Sequence, residues 1–163
     1  MKYKEKILAM LDQDARLTAA QMARMLDAPE EEVASEIAAL EREKVILGYK
    51  AMINWDKADQ EMVTAQIEVR ITPQKDMGFD EIAHRICSYP QVQSAYLMSG
   101  GFDLTIVLMG KTLREISQFV SENLAPMESV ISTSTHFILK KYKDMGVAYD
   151  PEENDTREVM MSW

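Results

Sequence analysis

An α+β fold in two parts is predicted for this chain by three observations. Apolar residues recur at helical spacing from Ile7 to Leu40, and they alternate with polar ones from Met62 to Ile71. The polar stretch Asn54-Trp55-Asp56-Lys57-Ala58-Asp59-Gln60-Glu61 separates the two patterns. The division expected is a first domain at residues 1–54, a linker at 55–61, a second domain at 62–143 and an acidic tail at 144–163.

Ile7, Leu8 and Leu11 define a first helix, followed by the polar turn Asp12 to Arg16. Thr18-Ala19-Ala20-Gln21 has the spacing of a capping box, in which hydroxyl and carboxamide each serve the other residue's amide. It predicts a second helix that buries Met22, Ala23 and Leu26. In Asp27-Ala28-Pro29-Glu30, Asp27 is expected to cap a third helix, Pro29 to sit in its first turn and Glu30 to Glu32 to face its positive end. That helix runs to about Glu43, with Val33, Ile37 and Leu40 inward. So short a join between the second and third helices forces a sharp crossing, as in a helix-turn-helix. Val45 to Ile53, turning near Gly48, predicts a short β-ribbon, which would complete a winged helix-turn-helix.

In the second part, Val63, Ala65, Ile67, Val69 and Ile71 line one face of a strand that Pro73 ends. A helix is expected over Asp80 to Ser88, strands over Val92 to Ser99 and Asp103 to Met109 about a tight turn at Gly100-Gly101, a helix over Leu113 to Leu124 and a strand over Val130 to Lys141. The order βαββαβ is that of a ferredoxin-like domain with both helices on one face of its sheet. Apolar residues on both sides of the third and fourth strands predict that the other face packs on a second copy, giving a homodimer.

The 163 residues include 18 Lys and Arg against 27 Asp and Glu, a net charge of −9, which argues against a generally basic nucleic-acid coat protein. Any DNA contact must be local. Residues 1–54 carry a balance of −2 and residues 55–163 one of −7. The single Cys87 excludes an internal disulfide framework and a multi-cysteine zinc cluster, and it is expected to be a buried apolar group. No apolar run approaches the roughly 18 to 20 residues of a membrane span, so a soluble, cytoplasmic protein is expected. The 13 methionines are expected mostly at core positions. His84 and His136 are far apart in sequence, and neither a metal nor a cofactor is expected.

Leu40-Glu41-Arg42-Glu43-Lys44-Val45-Ile46-Leu47-Gly48-Tyr49, Pro90-Gln91-Val92, Ser99-Gly100-Gly101-Phe102-Asp103-Leu104 and Thr133-Ser134-Thr135 stand in an order and spacing that resembles the Lrp/AsnC family, the feast-or-famine transcriptional regulators. The resemblance covers about residues 3–143 (the second domain being of the family's RAM type). It implies a dimer, often assembled further into octamers, that binds double-stranded DNA and senses an amino acid or related metabolite. Lys44 stands where the family usually has glycine, and the recognition helix opens Pro29-Glu30-Glu31-Glu32, carboxylates that phosphates repel.

Two sets of candidate residues follow. Glu31, Glu32, Ser35, Glu36 and Arg42 would face the duplex, with carboxylates accepting from cytosine amino groups, while Arg24, Lys44 and Lys50 would meet phosphates. The competing reading is a solvated acidic helix face. In the hairpin, Gly100 and Gly101 would let backbone amides hold a carboxylate and Asp103 would meet an ammonium, with Met98, Thr133, Ser134 and Thr135 as neighbours. Here the competing reading is a plain turn that Asp103 stabilises; as an effector contact, Asp103→Ala is expected to leave the fold intact but to abolish any thermal shift given by the effector. Two other functions stay open: a metabolite-binding oligomer without DNA recognition, and an enzyme resembling the siroheme decarboxylases, which share this architecture. No convergent His/Arg constellation supports the enzyme, so no catalytic residue is expected.

Overall fold

The computed structural model describes residues 1–58, 60–72 and 78–149. It divides into two compact units, Met1–Ile53 and the chain from Asn54 onward.

Unit 1 holds α1 (Lys4–Gln13), α2 (Ala19–Leu26) and α3 (Glu30–Arg42) around Tyr3, Ile7, Met22, Ala23, Val33 and Leu40, all buried. The capping box forms: Thr18 Oγ1 accepts from the Gln21 amide at 3.2 Å, and Gln21 Oε1 accepts from the Thr18 amide at 2.8 Å. The start of α3 departs from expectation. Asp27 closes α2 in the left-handed conformation (φ 50°) instead of capping α3, and Pro29 occupies the N-cap with no side-chain bond to the helix. Aspartate tolerates that conformation better than most L residues, because its short side chain is compatible with the turn. The remaining help at this helix start comes from Glu30, Glu31 and Glu32 against the positive end of the dipole.

The end of α3 is closed by Lys44 at φ 59°, with the amides of Val45 and Ile46 both donating to the Leu40 carbonyl at 2.9 and 3.1 Å. This is the geometry that usually takes glycine at the residue after the helix. The ribbon expected over Val45 to Ile53 is a correction: the segment contains no strand. Val45, Leu47, Tyr49, Met52 and Ile53 are exposed along it, and one local contact stands out, Tyr49 Oη donating to Glu41 Oε1 at 2.9 Å.

Unit 2 holds β1 (Val63–Ile71), α4 (Phe79–Cys87), β2 (Val92–Leu97), β3 (Leu104–Gly110), α5 (Leu113–Phe119) and β4 (Val130–Ile138), after a 3₁₀ turn at Trp55–Lys57. The strands form one antiparallel sheet in the order β2-β3-β1-β4. Ala65, Ile67, Val69 and Ile71 of β1 and Leu104, Ile106 and Leu108 of β3 face Ile82, Ile86, Ile116, Phe119 and Leu124, so the core lies between the sheet and α4 and α5. Pro73, expected to end β1, lies outside the described residues.

Further differences are local. The helix expected over Leu113 to Leu124 is α-helical only to Phe119 and then widens into a π turn at Val120–Leu124. The turn at Gly100-Gly101 is part of a longer loop, since Leu97 pairs with Leu104 and the Met98 amide donates to the Asp103 carbonyl at 2.8 Å. The chain after 143 begins with a small hairpin, β5 (Lys143–Asp144) paired with β6 (Val147–Ala148), before the tail, whose residues 150–163 lie outside the described ones. Cys87 is exposed, because it is the last residue of α4 and points away from Ile86 and the core. Among the described methionines only Met22 and Met127 are buried; Met25, Met52, Met98 and Met145 are exposed.

Candidate functional site

In unit 1 the expected DNA-facing set separates into two groups. At 3.6 residues per turn, Glu31, Ser35 and Arg42 lie within about 40° of one another around α3. All three are exposed, as is Glu32 beside them, on the side opposite buried Val33 and Leu40. Arg24 is exposed on α2, its Nε donating to the Ala20 carbonyl at 3.4 Å, and Lys44 and Lys50 are exposed after α3. Glu36 is a correction. It lies about 140° from Glu31 around the helix, half-buried, and its carboxylate accepts from the Lys2 amide (2.6 Å) and the Tyr3 amide (3.0 Å). Those amides belong to the start of α1, where no helical carbonyl precedes them, so Glu36 is committed to tying α3 to α1.

In unit 2 the sheet face away from the helices carries Gln66, Glu68 and Arg70 of β1, paired in register with His136, Ser134 and Ser132 of β4. On β3, Thr105 lies opposite Glu68; it is 5% exposed, and among the described residues its hydroxyl has no partner. Glu68 Oε2 lies 3.5 Å from His136 Nε2, and Ser134 Oγ lies 3.3 Å from the same nitrogen. At one end of this face a cavity of about 290 Å³ is lined by Glu68 and Arg70, by Gly101 and Phe102 of the hairpin loop, and by Ser132, Thr133 and Ser134. Glu68 and Arg70 stand two residues apart on one strand face, about 6 to 7 Å along the backbone, and Ser132 and Ser134 line the cavity beside them. That combination suits a small zwitterion, the guanidinium pairing with its carboxylate and Glu68 with its ammonium.

Of the expected effector residues, Gly101, Thr133 and Ser134 line this cavity. Gly100 lies in the same loop at φ 147°, a conformation that L side chains rarely adopt. Met98 is exposed and does not line the cavity. Thr135 is a correction: it pairs with core residue Ile67, so its side chain belongs to the helix-covered side, and the same register puts the side chain of Thr133, opposite core residue Val69, on that side too. Asp103 is another, since its Oδ2 accepts from the Ile71 amide at 2.8 Å and its own amide donates to the Val69 carbonyl at 3.0 Å. The Ile71 amide sits where the β1–β4 register shifts, and Asp103 supplies an acceptor there. Sequence reasoning missed Glu68, Arg70, Phe102 and Ser132; the alternation in β1 already placed Glu68 and Arg70 on the polar face.

Among the described residues, no group of three His, Cys, Asp or Glu could hold a metal, and no helix is long and apolar enough to cross a membrane.

A helix-turn-helix unit followed by an αβ sandwich with an open face and a zwitterion-sized cavity defines a class, that of ligand-responsive transcriptional regulators. Residues 64–148 match the family model of the Lrp/AsnC ligand binding domain. The chain is 46% identical to the HTH-type transcriptional regulator YugG of Bacillus subtilis, over 98% of its own length and 99% of that protein's. It is 29% identical to a leucine-responsive regulatory protein of Rhizobium meliloti over 85% of this chain and 88% of that one. The fold is shared with a Neisseria meningitidis transcriptional regulator solved as its L-Met complex (TM-score 0.70, 23% identity, covering 85% of this chain and 89% of that one). This chain belongs to the Lrp/AsnC family of transcriptional regulators.

Proposed function

We propose that this protein is a cytoplasmic regulator that grips duplex DNA through the exposed stripe of α3 and takes an α-amino acid in the cavity beneath the hairpin loop. The observation that carries the effector reading is the pairing of Glu68 with Arg70 at a cavity of about 290 Å³ whose other walls are hydroxyls, a glycine and Phe102. A regulator of the same fold, from Neisseria meningitidis, was solved with L-Met, which supports an amino acid as the ligand. Gly101 brings backbone to the cavity, and Asp103 acts by holding the loop against β1.

The DNA reading rests on Glu31, Glu32, Ser35 and Arg42, with Arg24, Lys44 and Lys50 available to phosphates. With a balance of −2 over residues 1–54, one head binds modestly, and two heads joined in one molecule bind through effective concentration. The joining surface is the uncovered sheet face, where Tyr96 and Ile138 are exposed and Val107 and Met109 half-buried, and its occupant is a second copy. Ligand shifts the balance among assemblies by its difference in affinity for them.

Three measurements test this reading. Thermal shift with each of the twenty amino acids is expected to reveal at least one ligand, whose affinity falls at least tenfold in Glu68→Gln and in Arg70→Gln; unchanged binding in both variants removes this cavity. Mobility shift on the gene's own upstream DNA is expected at low salt and to weaken steeply as salt rises, and a flat response removes the DNA reading. Light scattering that finds a single chain at micromolar concentration removes the joining surface.

A further inference from the structure

The Glu68 carboxylate, the partner for a ligand ammonium in the sheet-face cavity, already has neighbours of its own. Its Oε2 lies 3.5 Å from His136 Nε2, across the pairing of β1 with β4, and Ser134 Oγ lies 3.3 Å from the same nitrogen. Glu68 and Ser134 line the cavity, whereas His136 does not. On the other side of Glu68, in β3, stands Thr105, whose buried hydroxyl has no partner among the described residues. A carboxylate flanked by an imidazole and an idle hydroxyl has two donors within its reach, and the proton on the imidazole decides between them.

That proton is the variable charge of this face near neutral pH. The sequence holds two histidines, and His84 lies on α4, in the layer on the other side of the sheet. Facing His136 from β1 are Gln66, paired with it in register, and the ion pair formers Glu68 and Arg70; from β4 comes Ser134, and further along the chain Lys140, whose ammonium stands 5.0 Å from the Tyr142 ring centre. Carboxylate, guanidinium and ammonium groups stay ionised through the range in which imidazole titrates. A neutral ring protonated on Nδ1 takes the Ser134 hydroxyl as donor to Nε2, and its lone pair turns the Glu68 carboxylate away. A cationic ring donates from Nε2 to Glu68, a charge-assisted bond that any ligand ammonium would have to displace.

We propose that His136 is a positioning residue that sets which charges the cavity presents, an inference that rests on the amino-acid reading of that cavity. With the imidazole neutral, Glu68 is free and the cavity offers one carboxylate and one guanidinium, the match for a zwitterion. With the imidazole cationic, Glu68 is engaged and Arg70 stands unopposed, the match for a carboxylate without an ammonium, such as a 2-oxo acid. Ligand ammonium and the proton on His136 compete for one carboxylate, so binding an amino acid releases a proton. Amino-acid affinity therefore rises with pH through the imidazole range, and 2-oxo-acid affinity falls.

The test uses the full chain, the amino acid that gives the largest thermal shift of the twenty, and the 2-oxo acid with the same side chain. Calorimetry at pH 5.5 and pH 7.5 is expected to find the amino acid bound about tenfold more tightly at the higher pH, the change that competition with an imidazole of ordinary midpoint near 6.5 produces, and the 2-oxo acid bound less tightly there. Both trends are expected to vanish in His136→Gln, which cannot carry the charge and which, at a side chain 55% exposed, leaves the core untouched. Titrations near pH 6 in two buffers of different ionisation heat are expected to show the released proton in the natural chain and none in the variant. A measurement without ligand completes the set: the ring C–H signals of His136, followed by NMR against pH, are expected to titrate at a lower pH in Glu68→Gln. An unchanged His136 titration in Glu68→Gln, or a pH dependence of binding that survives in His136→Gln, overturns the proposal. If no amino acid gives a shift, or if affinity at pH 7.5 is the same in Glu68→Gln, the cavity reading itself falls; binding that needs Glu68 but ignores pH removes the proton coupling alone.

Discussion

Glu36 in unit 1 and Asp103 in unit 2 form a pair worth comparing, because the sequence marks both as ligand contacts and both serve backbone amides. Glu36 spends both oxygens, accepting from Lys2 and Tyr3 at the start of α1. Asp103 spends only Oδ2, on Ile71, where the β1–β4 register shifts. An acidic side chain near the end of an element is claimed first by amides that have no partner there, and only its spare acceptors remain for anything else. Glu36 has little to spare. Asp103 keeps one oxygen and holds the loop whose glycine and phenylalanine wall the cavity.

Four measurements would break or sharpen that comparison. The largest effect is expected for Glu36→Ala, which removes a charged acceptor from two amides and should lower the stability of unit 1 by about 2 to 3 kcal/mol, read by urea denaturation followed by far-ultraviolet circular dichroism. Glu36→Gln keeps an acceptor and should recover part of the loss; an unchanged midpoint in both would mean the tie does not hold in solution. Asp103→Ala loses a single such bond, so about 1 to 2 kcal/mol is expected, in contrast to the intact fold expected from sequence. Here denaturation of unit 2 decides, and Asp103→Asn should lie between the variants.

Smaller effects come from groups without that role. Lys44→Gly relieves a left-handed L residue and should stabilise unit 1 by about 1 kcal/mol, seen as a higher melting temperature. Burial, followed by the Glu41 carboxylate's hydrogen bond and charge, holds the Tyr49 phenol above its ordinary value of 10.0. The folded state therefore favours the neutral phenol, a contribution complete below that ordinary value and lost as pH rises through the folded one. Tyr49→Phe should flatten the alkaline end of the pH–stability curve of unit 1; a curve of unchanged shape would show that another group sets it.

What was legible in the sequence was whatever local chemistry decides. The capping box at Thr18 and Gln21 formed as spelled, and the alternation of β1 put Ala65, Ile67, Val69 and Ile71 inward. What stayed hidden depends on partners distant along the chain. Val45 to Ile53 has ribbon-like apolar residues but no strand to pair with, and the pattern alone does not supply one. Glu36 could be placed on α3, but nothing near it announces that the amides of Lys2 and Tyr3, more than thirty residues away, would reach it. Glu68 and Arg70 were visible as polar positions, whereas the loop that makes them the wall of a cavity follows them by more than thirty residues. Residues 133 to 135 show the cost of a missing register: without the pairing of Thr133 to Val69 and of Thr135 to Ile67 the three look equivalent, although only Ser134 has its side chain on the open face.

The π turn at Val120–Leu124 carries a consequence for the length of the chain. Its five-residue step, from the Ala125 amide to the Val120 carbonyl, holds one residue more than the four-residue step of the helix before it. Removing one residue between Phe119 and Ala125 is therefore the shortest change that could return this segment to a regular helix.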